Sequence, residues 1–197
     1  MTQANELDRF MPSPDVRERH EGLIHAPAEI VFDVALHFDL QAIPVVRAIF
    51  WLRGKLMGAK ATTRVARGLV AETMALGWGV LSHRQRREIV MGAVTRPWEA
   101  DVKFRAVPAE QFREFAEPAL VKIAWTLEAE PVGQALTRFA SETRAVATDD
   151  AARTRFLRYW RWARFGIVAI QWMMLPAVRR EAERRWRDRT GLVARPT

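Results

Sequence analysis

The chain has 197 residues, 49% of them hydrophobic and only ten each glycine and proline, which suits one folded globular domain with extended ends and excludes a disordered chain. It contains no cysteine, so disulfides and thiolate-based metal or redox centres are excluded, and a reducing cytoplasm is the natural compartment. The formal charge of +8 is an arginine excess, with eleven arginines between Arg153 and Arg189; it favours an anionic partner, or simply gives an amphipathic helix its soluble face.

Residues 1–14, with Pro12 and Pro14, read as a loose leader, and no basic segment followed by an apolar run marks them as a secretion signal. Val16–Ile24 is extended and largely polar, as an edge strand is, and Pro27 then opens a helix whose apolar stripe is Ile30, Val31, Val34 and Phe38. Pro44 opens a second helix, striped by Val45, Ile49, Leu52 and Leu56 and stopped at Gly58, while residues 59–76 stay ambiguous. After Gly77-Trp78-Gly79, the segments Val80–Arg84 and Arg87–Val94 flank a short polar turn and predict a hairpin.

Asp101–Val107 predicts a further strand, Pro108 starts a short helix through Phe115, and Val121, Ile123, Trp125 and Leu127 alternate with Lys122, Ala124, Thr126 and Glu128 as a half-buried strand does. Pro131-Val132-Gly133-Gln134 turns the chain into a long antiparallel partner, Leu136–Ala147. Thr148 and Asp149 can cap a closing helix carrying Phe156, Trp160, Ile167, Ile170, Met174 and Val178 at helical spacing. Continuous helix from Asp149 to Arg187 would span about 58 Å, more than a globule of this size, so a break is expected, at Gly166 or Pro176 and preferably at Gly166. Phe165–Val178 is too short to span a membrane and contains Gln171 and Pro176.

This element order resembles the helix-grip (START-like, SRPBCC) superfamily. Ile24-His25-Ala26-Pro27-Ala28-Glu29-Ile30-Val31-Phe32 is similar to its opening strand and first helix. Gly77-Trp78, Arg87-Glu88-Ile89-Val90-Met91-Gly92, and Ser141-Glu142-Thr143-Arg144 before Thr148-Asp149 are similar to an uncharacterised bacterial, polyketide cyclase-like branch. The resemblance implies an α+β fold in which a curved antiparallel sheet wraps around a long C-terminal helix. It also implies a cavity between the two that in relatives holds lipids, polyketides or other apolar metabolites, with catalysis optional. Residues 15–190 form that single domain on this reading, with 191–197 as a flexible tail.

The candidate cavity residues are Trp78, Val80, Met91, Trp98 and Phe104, then Ile123, Trp125, Leu127 and Phe139, facing Trp160, Ile167, Ile170 and Met174 on the closing helix. Rings this large line a pocket or fill an ordinary interior equally well. Polar candidates are His83, which could serve as acid or base, and Glu142 with Arg144, which strand parity puts on one face, at a cavity floor or on the outer sheet. His20, His25 and His37 stand apart and no HExxH occurs, so no metal is expected. Ser13, Ser82 and Ser141 sit in no nucleophile elbow and no phosphate or dinucleotide loop is present, so no catalytic residue or cofactor is assigned.

The expected partner is a small hydrophobic molecule, bound without a bond being broken. Two other readings stand beside it: a cyclase or dehydratase using Glu142, Arg144 or His83, and a peripheral protein resting on an anionic membrane surface through Phe50, Trp51, Arg53 and Lys55 or the arginine-rich helix. Nucleic-acid binding has charge alone in its favour, and the oligomeric state is unassigned.

Overall fold

The computed structural model describes residues 6–39 and 68–193, with side chains through 191. The second predicted helix, from Pro44 to Gly58, and with it Phe50, Trp51, Arg53 and Lys55, lies outside the described residues.

The strict alternation from Val121 to Leu127 becomes β4 (Val121–Gly133), and a two-residue turn at Gln134–Ala135 returns the chain as β5 (Leu136–Ala147). Pro131 and Gly133 thus belong to the strand and not to the turn, pairing with Thr137 and Leu136 across a local register shift. Among the described residues β1 (Val16–Ile24) pairs with β5 alone and forms one edge; β2 (Gly79–Arg84) and β3 (Glu88–Thr95) form the predicted hairpin at the other. The sheet is antiparallel throughout, in the order β1-β5-β4-β3-β2.

The strand expected at Asp101–Val107 reduces to one bridge, Val94 with Arg105. β2 occupies the free edge of β3 as far as Gly92, so only the last residues of β3 are left to pair.

Among the described residues three short helices, α1 (Glu6–Phe10), α2 (Ala28–Leu36) and α3 (Leu69–Ala75), precede the hairpin; α4 (Ala109–Phe112) follows it and α5 (Asp150–Val193) comes last. α2 buries Ile30, Val31 and Val34 of the stripe read from its spacing and adds Phe32, while Phe38, the fourth member, lies beyond the helix end at Leu36 and is half-buried. α3 falls within the stretch left ambiguous; it ends before Gly77, whose φ of 100° favours glycine and whose missing Cβ leaves room for the carbonyl of Phe104.

Each sheet face carries its own apolar cluster. On one, Ile89, Met91, Leu127, Ala129 and Phe139 pack beneath α2 and against Met174, Val178 and Ala182 of α5. On the other, Val90, Val94 and Ala124 are covered by Leu7, Phe10, Met11 and Phe112. The leader is therefore not loose over residues 6–11: its apolar side chains roof the outer face, and Asp8 pairs with Arg144.

α5 is continuous through both Gly166 and Pro176, so the expected break does not occur, and the helix runs on to Val193 into the stretch read as a tail. Its 44 residues extend about 66 Å. Apolar clusters at Phe156 and at Met174–Val178 hold the helix on either side of Gly166. Pro176 is on the exposed side, as is Trp172, so the carbonyl it frees one turn earlier faces water.

Asp149 caps the helix as predicted: Oδ1 accepts from the Ala152 N–H at 2.7 Å and Oδ2 from the Ala119 N–H at 2.5 Å. These bonds to backbone hold its carboxyl below the usual range. Asp149→Ala should therefore lower the thermal midpoint at neutral pH, and the difference from wild type should shrink as acid protonates the cap. A pH-independent difference in thermal melts would contradict the role given to the charge.

Candidate ligand site

β-strand parity sorts the candidate residues before any distance is considered. Register sets Trp125 opposite Met91 on β3 and Thr143 on β5, and sets Ser141 opposite His20 on β1. These residues share the face that carries α5, because Gln171 of α5 donates from Nε2 to Thr143 Oγ1 at 3.2 Å and the Trp172 ring lies 6.5 Å from that of His20. Ile123 shares this face, two residues from Trp125.

Along this inner face two closed clusters are separated by an open stretch. At one end Met91, Leu127, Phe139 and Met174 are packed solidly beneath α2. At the other, Val121, Ala145 and Phe156 are buried, with Trp98, Ile123 and Trp160 against them. Between, Ile123, Trp125 and Thr143 are only half-buried although they lie on inner strands of the sheet.

α5 crosses this stretch as a beam. Phe156 is buried at one support and Gln171 at the other, about 22 Å apart along the axis, and no residue from 157 to 170 is buried, Trp160, Ile167 and Ile170 included. Side chains in mid-sheet that keep some access to solvent beneath a helix show that α5 packs less closely over this stretch than at its two supports.

This stretch has an aromatic side toward β2. Trp78 stands 5.0 Å from Phe104 and 6.4 Å from Trp125 between ring centroids, and Val80 beside it is exposed on the edge strand.

Its polar side was not singled out from the sequence. Gln171 is 6% exposed, and with its Nε2 committed to Thr143 its Oε1 is buried without a hydrogen-bond partner, as is Nε2 of His20. The signal was present: the parity that puts Glu142 and Arg144 on one face puts Ser141 and Thr143 on the other.

Glu142 and Arg144 are on that opposite face, so neither can line a space beneath α5. Nor do they dress an open surface, because the N-terminal segment buries them. Arg144 donates to Glu142 and Asp8 at 2.6 Å and to the Met11 carbonyl at 2.7 Å. Glu142 also pairs with Arg17 at 2.8 Å and Arg19 at 3.1 Å. Burial pushes the Glu142 carboxyl up, but its hydrogen bonds to Arg144, Arg17 and Arg19 outweigh that and hold it below the usual range.

His83 is likewise away from the stretch beneath α5, exposed near the hairpin turn and stacked on Phe32 at 6.3 Å. There it borders a groove of about 610 Å³ between α2, that turn and the end of α5. The groove's charges are paired across it, Glu29 with Arg86 at 3.2 Å and Asp33 with Arg185 at 3.0 Å, which suits solvent better than an apolar guest.

With this geometry established, comparison with known proteins adds little. No family model matches the chain, and no curated protein matches it. Among solved structures it is similar to the Zhui aromatase/cyclase from Streptomyces sp. R1128, with 14% identity and a TM-score of 0.29 over 86% of this chain and 94% of that one. The α+β architecture, an antiparallel sheet with a long C-terminal helix across one face, is the one implied by the helix-grip resemblance. Among the described residues no helix is long and apolar enough to cross a membrane.

Proposed function

We propose that the protein binds a small apolar molecule in a hollow spanned by residues 157–170 of α5, with one polar group of the guest meeting Gln171. The supporting observation is that Ile123 and Trp125, in mid-sheet, are only partly buried, each at the margin of a closed cluster. Filling the hollow would remove apolar area from water on both guest and wall, worth about 25 cal/mol per Å². The unpartnered Oε1 of Gln171 accepts a hydrogen bond, so an alcohol or phenol fits better than a bare hydrocarbon. Binding is preferred to the cyclase reading because Glu142, Arg144 and His83, the residues that would have moved protons, lie elsewhere.

Ile123→Trp should test this by filling the space. The expected result is a loss of about tenfold or more in affinity for the fluorescent probe N-phenyl-1-naphthylamine, with the urea midpoint unchanged or raised. Unaltered probe binding together with destabilisation of about 1–3 kcal/mol, the cost of overpacking a filled core, would reject the hollow. Gln171→Leu should weaken binding of a long-chain alcohol and leave that of the matching alkane unchanged.

A further inference from the structure

α5 carries a second apolar surface, on its exposed side. At 100° per residue, Trp162 and Phe165 fall on the side opposite Met174 and Val178, and Trp172 continues the stripe at the flank beside β1, where its ring lies 6.5 Å from that of His20; the three are 77%, 63% and 68% exposed. Single exposed apolar side chains are ordinary, but three large rings on one stripe within about 15 Å form a patch that wants a cover.

Charge identifies the cover. Between Asp150 and Glu181 the helix carries seven arginines and no carboxylate. Arg158 and Arg161 precede the rings and Arg180 follows them, while Arg179 reaches back over the edge strand at Gly22; among the described residues none of the four is in an ion pair. A second copy of the chain would set arginine against arginine around the rings, whereas a negatively charged surface satisfies both ends.

We propose that this face of α5 docks on an anionic lipid bilayer, lying flat with its rings at the acyl boundary and its guanidinium groups among the phosphates. This inference does not depend on the hollow, which is on the opposite side of the helix.

Sedimentation of the full chain with vesicles of phosphatidylcholine, alone or mixed with phosphatidylglycerol, tests it. The protein should bind the mixed vesicles, release as salt is raised, and ignore the neutral ones. The Trp162→Ser/Phe165→Ser/Trp172→Ser variant should lose about tenfold or more of that binding while keeping the wild-type melting midpoint. Should it fail to fold, Trp162→Ser alone, the most exposed position, should show a smaller loss in the same direction. Arg158→Gln with Arg180→Gln should reduce the preference for the charged vesicles.

No sedimentation at low salt would overturn the proposal, as would binding insensitive to the ring substitutions. A dimer of the wild-type chain that these substitutions turn into a monomer, without vesicle binding, would assign the face to a second copy instead.

Discussion

Glu142→Gln is expected to lower stability by about 3 kcal/mol at neutral pH, a drop of about 6–12 °C in the thermal midpoint. Arg144 is 1% exposed and Glu142 fully buried, so the substitution removes a buried counter-charge and leaves the guanidinium with Asp8 and one carbonyl among the described residues. Arg17 and Arg19 are partly exposed and can turn to water, which limits the loss.

The sign of the pH dependence follows from the depressed carboxyl. The unfolded chain takes up the proton at higher pH than the folded one, so the contribution is complete above the ordinary carboxylate range and is lost as pH falls through the folded value. Wild type and variant should therefore converge in acid. The pair Glu142→Leu with Arg144→Met should recover part of the loss, because removing both charges avoids the stranded one. If Glu142→Gln melts with wild type at pH 7, these charges do not fasten the N-terminal segment to the sheet.

Phe139→Ala and Ile167→Ala form a matched pair, one in the closed cluster and one above the proposed hollow. Phe139 is fully buried beneath α2, and its truncation should cost about 3–5 kcal/mol because its neighbours cannot collapse into the space. Ile167 is half-buried on the span of α5 where no residue is fully buried, so its truncation should cost under about 1 kcal/mol and show itself in probe affinity instead. Urea denaturation measures both. Comparable losses at the two sites would mean that the helix meets the sheet tightly throughout, and the binding proposal would fail with it.

Several elements were legible from sequence because their cause is local. A period of two gave β4, a spacing of three and four gave the stripe of α2, and Asp149 revealed itself as a cap by type and position. One part of the site was also legible and went unread. Phe139 and Glu142 are three residues apart on a regular strand, so if one faces α5 the other cannot.

What remained depended on what each segment met. Whether Asp101–Val107 became a strand turned on a free edge, and β2 left only the end of β3. Gly166 and Pro176 weaken a helix, yet α5 continues because packing on either side of Gly166 and solvent beside Pro176 offset those local costs. The leader is polar enough to pass for loose, and only the buried Arg144 beneath it shows why it docks. The closeness of α5 to the sheet belongs to the same class: sequence specifies which side chains face inward, but how tightly two inward surfaces meet is set by where the helix is supported, and that distance is a property of the folded molecule.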